Sequence, residues 1–182
     1  MSASVVLLCE DSQTDMFLRR FFRRRFGRQF RRRIHSVPFS GGIRSGEQHV
    51  REKFPDQLRL IRGRRGAVLI AVIDSDMEST EARRTQLQQQ CAARDIEALR
   101  ASDPVLVLVP RRNIETWFRY LDGAEFDETT RYPHLRREAD CEPLADRLYD
   151  MCHEQQKLAE PAPASLVEAC REYPRLTRLL QR

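Results

Sequence analysis

Over the first two-thirds of the chain, short apolar runs alternate with longer segments whose apolar residues recur at helical spacing. That alternation predicts an α/β domain with a mainly parallel sheet of about four strands flanked by helices. The apolar run 5–9 is the first expected strand. Phe17, Leu18, Phe21, Phe22 and Phe26 then mark the buried face of a helix over about 15–26. A weaker second strand over 34–39 ends in Ser40-Gly41-Gly42, and Val50, Phe54, Leu58 and Ile61 line one face of a second helix. After Gly63 and Gly66, the run 67–73 is continuously apolar and rich in β-branched residues, the pattern of a strand covered on both faces. It stops at Asp74-Ser75-Asp76.

A polar helix is expected over about 81–99, then a fourth strand over 105–109 closed by Pro110. Asn113 suits the N-cap of a helix carrying Ile114, Trp117, Phe118 and Leu121, which puts Glu115 in its first turn. Residues 124–142 show no period and read as an acidic and aromatic loop. Helices follow near 143–152 and 165–180, the last opened by a Ser165/Glu168 capping box, with 159–164 as a proline-containing linker. The organisation expected is an α/β domain over 1–123 and a loop with a helical C-terminal extension over 124–182, packed on the same domain.

Composition narrows the class. With 182 residues, 41% hydrophobic and 32% charged, the chain suits one globular core rather than a fibre or a disordered tail. Its longest apolar runs fall far short of the roughly 20 residues of a membrane-spanning helix, and no signal peptide is readable, so a cytoplasmic protein without a membrane partner is expected. The 32 basic residues include only two lysines, Lys53 and Lys157, leaving 30 arginines and a net charge of +5. Guanidinium groups pair bidentately with phosphate, which makes nucleic acid a candidate partner. Nine of the arginines lie between Arg19 and Arg33; the interleaved phenylalanines turn inward and leave the arginines to hold phosphates. Five cysteines without a CxxC pair fit reduced thiols, and the four scattered histidines do not form a ligand set. The absence of a P-loop, G-x-S-x-G or H-E-x-x-H sequence excludes those chemistries.

The chemistry points to the strand ends, because ligands of open parallel sheets bind outside the carboxyl ends of the strands. There the chain places Glu10 and Asp11, then Asp74 and Asp76, with Glu78 close behind. Clustered carboxylates repel one another, and a hard cation such as Mg²⁺ or Mn²⁺ relieves that repulsion. In extended backbone the D-x-D spacing turns both carboxylates to one side. Glu10, Asp74 and Asp76 are the expected ligands, with Glu78 a weaker one. Glu115 reads either as a further site carboxylate or as an acid suited to its helix's positive end. Asp15 reads as a partner of Ser12 in a capping box. Arg111 and Arg112 follow the fourth strand and would face the same edge, where they could bind a scissile phosphate.

The stretch Val5-Val6-Leu7-Leu8-Cys9-Glu10 followed by a helix, with Val72-Ile73-Asp74-Ser75-Asp76 later, resembles the Toprim fold of topoisomerases, primases and nucleases over roughly residues 4–121. The resemblance implies an acid/base role for Glu10 and magnesium binding by Asp74 and Asp76. The family commonly has Gly after its first Glu, where this chain has Asp11. The segment from Pro110 through Trp117 is similar to one in small stand-alone Toprim proteins related to overcoming-lysogenisation-defect nucleases, which often accompany an ATPase in phage defence. The expected function is a metal-dependent nuclease acting on DNA or RNA; the alternative is a non-catalytic or partner-activated subunit of an ATPase complex, with homo-oligomerisation left open. The start of the chain also resembles a response-regulator receiver domain with Asp74 as phosphoacceptor, but the lysine such domains carry after their last strand is replaced by Pro110-Arg111-Arg112.

Overall fold

The computed structural model describes residues 3–38, 45–76 and 78–180. Strands β1 (Ser4–Leu8) and β3 (Ala67–Val72) are buried along their whole lengths, as apolar runs in the middle of a parallel sheet must be. β2 (Ile34–Ser36) and β4 (Val105–Leu108) form the edges. All four run parallel in the order β2-β1-β3-β4, the α/β architecture expected from the sequence. The connection leaving β1 goes to one side of the sheet and that leaving β3 goes to the other. Their adjacent carboxyl ends are therefore the topological switch point of the fold.

Alternation along the strands divides the core into two layers. Val5, Leu7, Ile70 and Val72 share one apolar cluster with α1 (Ser12–Phe26), α4 (Glu115–Leu121), α5 (Cys141–Tyr149) and α6 (Ala164–Leu180). Val6, Leu8, Leu69 and Ala71 share the other with α2 (Gly46–Arg62) and α3 (Thr80–Ala92). Residues after 124 contribute Leu144, Leu148, Leu166 and Leu176 to the first cluster. Phe17 and Phe118 meet edge to face there, with ring centroids 5.0 Å apart. Among the described residues, no helix is long and apolar enough to cross a membrane.

Several local expectations change in the structure. The N-cap of α1 is Asp11, whose carboxylate accepts from Thr14 N at 2.7 Å; Ser12 instead donates to Glu138, and Asp15 pairs with Arg19 at 2.6 Å. Helix α3 ends at Ala92 rather than near 99. Asp95 turns left-handed, and the Gln88 side chain accepts from Leu99 N, so the chain folds back. Asn113 does not cap α4: its amide donates to Tyr132 O at 2.7 Å and so ties down the long loop. Ser165 lies inside α6, where its hydroxyl accepts from Trp117 Nε1, and Glu168 pairs with Arg84, so neither makes a capping box. The expected second strand ends at Ser36: Val37 N still donates to Leu7 O at 2.8 Å, but neither it nor Pro38 belongs to the strand, and Phe39 with the Ser40-Gly41-Gly42 stop lies outside the described residues. Cys152 and Cys170 are joined as a disulfide with Cα atoms 5.4 Å apart, contrary to the reduced-thiol expectation. The return of α6 against the π-helical turn Asp150–Gln155 brings them together.

The arginine face of α1 finds partners that sequence proximity does not suggest. Arg20 forks onto Asp146 at 2.5 and 2.8 Å, Arg23 reaches Glu142 at 3.3 Å, and Arg24 reaches Asp150 at 2.7 Å. Those acids recur every four residues along α5 and the turn after it, one per helical turn. Three of the α1 arginines expected to hold phosphates, Arg20, Arg23 and Arg24, are thus engaged in clamping the C-terminal extension to the domain, while Arg19 pairs with Asp15.

Candidate active site

Glu10 and Asp74 leave the ends of adjacent strands, and the Glu10 carboxylate accepts from Asp74 N at 2.8 Å. Glu115, at the start of α4, reaches the same place. These three acids and Asp11 line an open cavity of about 470 Å³ together with residues 131–134. Gly46, the first residue of α2, packs directly on the strand end: a Cβ there would lie 2.4 Å from the Glu10 carbonyl oxygen. Only a residue without a side chain permits that approach. Asp11 occupies both the cavity wall and the helix cap.

Burial raises the Glu10 carboxyl to about 8, with the Asp74 N–H opposing the rise and the Asp76 charge adding to it. Asp74 is also pushed well up, first by burial and then by the charges of Glu10, Glu115, Asp11 and Asp76. Glu115 is 2% exposed. Its Oε1 accepts from Gln13 at 3.2 Å and lies 2.7 Å from His134 Nδ1, while its Oε2 has no partner. The principal internal cation is Arg83, itself buried. It donates to Asp74 O, Glu47 and Gln86, and sits 3.3 Å from Asp76.

Asp76 does not join Glu10 and Asp74 on the cavity wall. Pairing of the segments after β3 and β4 continues through Ser75 N to Pro110 O and Asp76 N to Arg112 O. Asp76 meets it in the left-handed conformation, at φ 52°, so the extended two-residue alternation ends at Asp74. Its carboxylate is held instead by Arg83 and, at 3.6 Å, by Arg131. Glu78 is exposed and outside the cavity wall. Arg111 and Arg112 follow β4 as expected, but neither lines the cavity. Arg111 N donates to Ser165 and Arg112 N donates to Ser75. The cation at the mouth is Arg131, and with it come Tyr132 and His134. The sequence does not single out Arg131, and it offers Tyr132 and His134 only as one of four tyrosines and one of four scattered histidines; the available signal is an unusually long, unpatterned loop containing Arg131-Tyr132-Pro133-His134.

The donors suit a hard divalent cation. Glu10 and Asp74 supply carboxylate oxygens beside the unpartnered Oε2 of Glu115. No group of three His, Cys, Asp or Glu side chains converges tightly enough among the described residues to chelate an ion without rearrangement. Mg²⁺ is commonly held by one or two carboxylates, with water and substrate phosphate completing its shell, so a three-residue cage is not required. A separate groove of about 400 Å³ beside β4 includes Arg84 and Glu168, which pair at 2.5 Å. It lacks the clustered carboxylates of the switch-point cavity. The fold and site thus define a parallel α/β domain with an acidic switch-point cavity. No protein-family model, curated protein or solved structure matches the chain.

Proposed function

We propose that the chain is a divalent-metal-dependent phosphodiesterase acting on nucleic acid, as its Toprim resemblance implies. The observation carrying this reading is the union of Glu10 and Asp74 at the β1/β3 switch point, joined by the 2.8 Å bond and placed beside the unpartnered Glu115 oxygen. Glu10 and Asp74 would hold Mg²⁺ or Mn²⁺; Asp76, paired with Arg83 and Arg131 off the cavity wall, and the exposed Glu78 would each require a rearrangement to contribute. Such an ion lowers the pKa of an attacking water and neutralises charge developing on phosphate. In the alternative in which Glu10 does not ligate the ion, its carboxyl, raised to about 8 by burial, holds or releases a proton near neutral pH and serves as acid or base. Arg131 holds the phosphate from the cavity mouth, and Arg111 and Arg112, which lie outside the cavity wall, would have to swing inward to reach it. Glu115 fixes His134 through the 2.7 Å contact.

The test is cleavage of labelled DNA and RNA by the isolated chain with Mg²⁺, Mn²⁺ or Ca²⁺. Magnesium and manganese support cleavage, while calcium supports binding far better than turnover. Glu10→Gln and Asp74→Asn each reduce cleavage by about a thousandfold or more, as expected for charges acting at the reacting centre. Cleavage at the wild-type rate by both variants, in preparations free of contaminating nuclease, contradicts the assignment. Activity of the isolated chain also separates this reading from that of a subunit active only with an ATPase partner.

A further inference from the structure

Between Asp15 and Glu47 the chain has ten arginines and no acidic residue. Those on α1 are largely paired with α5 and the turn after it. Arg28, Arg31, Arg32 and Arg33, on the 3-10 turn before β2, are instead exposed and make no ion pair. Arg64 and Arg65, in the turn before β3, share that condition. Strand register brings the two turns together: Val5 pairs with Ile34, Ser4 pairs with Ala67, and Ser4 N donates to Gly66 O. Both turns therefore flank the start of β1 at the amino-terminal edge of the sheet. Buried Phe30, stacked on Phe26 with centroids 4.5 Å apart, anchors the first turn beneath its arginines.

We propose that these six arginines form a second phosphate-binding surface, which docks the nucleic-acid backbone away from the reacting centre. Five residues of β1 separate it from the cavity by about 17 Å at roughly 3.3 Å per residue, so it engages a polymer rather than the scissile phosphate itself. Charge complementarity and guanidinium geometry favour phosphate. An acidic protein is the poorer fit, because protein interfaces have an apolar core and Leu60 is the single exposed large hydrophobic residue among those described. The inference rests on the nuclease reading only for the choice of polymer. Binding measured in EDTA tests it whether or not cleavage occurs.

The experiment is fluorescence anisotropy of a labelled duplex oligonucleotide with the full chain, over about 50 to 200 mM salt. Arg31→Gln/Arg32→Gln and Arg64→Gln/Arg65→Gln each weaken binding by about tenfold or more and make the log–log salt slope shallower by about 1.8, roughly 0.9 per phosphate contact. The control Arg171→Gln/Arg178→Gln, which removes equal charge from exposed positions on α6, leaves the slope near wild type. Circular dichroism and melting confirm that each variant folds. Wild-type binding by both edge variants overturns the proposal, as does an equal loss in the control. Binding of labelled polyglutamate as tight as duplex binding, with the same sensitivity to the edge variants, also overturns it and assigns the surface to acidic protein.

Discussion

The two ends of the sheet carry opposite charges under opposite conditions. At the carboxyl end, Glu115 is buried and Glu10 and Asp74 partly so in one cavity, where burial and mutual repulsion raise the proton affinities of Glu10 and Asp74. At the amino end, six guanidinium groups stand in water without ionic partners. Excess charge at a solvated surface is screened and costs little, whereas buried like charges oppose folding unless a counter-charge arrives. The acidic end therefore needs a chemical reason to exist, and the basic end needs only a polyanionic partner to be useful.

Arg83→Ala should expose this difference most strongly. It removes the buried cation that supports Asp74 O, Glu47 and Asp76, and a loss of about 3 to 5 kcal/mol in urea unfolding is expected. A loss under about 1 kcal/mol would show that solvent screens the cluster. The next effect is a pH dependence. Glu10 has an ordinary value of 4.5 and a folded value of about 8, so the folded state binds its proton more tightly. Its stabilising contribution is full below 4.5 and disappears as pH rises through 8, a change of about 5 kcal/mol at most. In EDTA, the difference between the wild-type and Glu10→Gln stability curves isolates this contribution; parallel curves across that window contradict it.

Gly46→Ala is smaller in scale. The added Cβ displaces the Glu10 backbone, and a loss of about 1 to 3 kcal/mol is expected. Thermal unfolding checks it, with an unchanged melting temperature showing that the strand end yields freely. Smallest is Arg24→Ala: its pair with Asp150 is partly exposed and contributes about 0.5 kcal/mol. A double-mutant cycle with Asp150→Ala measures that coupling, and a value above about 2 kcal/mol would place the clamp among the principal stabilising contacts.

Strand periodicity made the sheet legible, and the ends of its two innermost strands made Glu10 and Asp74 legible with it. Asp76 was harder because its direction depends on a left-handed turn supported by Arg112 O, a partner 36 residues away in the chain. Arg131 and His134 come from a loop without a period, positioned partly by Asn113 holding Tyr132. The pairing of α1 with Glu142, Asp146 and Asp150 is likewise a product of tertiary folding, so a run of arginines divides into a structural clamp and an exposed surface without a local sequence mark.

The central claim is that the buried carboxylates at the switch point form a cation site. Anomalous diffraction from a crystal soaked in Mn²⁺ tests it most directly. The account predicts a peak within about 2.0 to 2.6 Å of carboxylate oxygens from both Glu10 and Asp74, or one water further away. A fully soaked crystal with that cavity open to solvent and no manganese peak beside either carboxylate would contradict it.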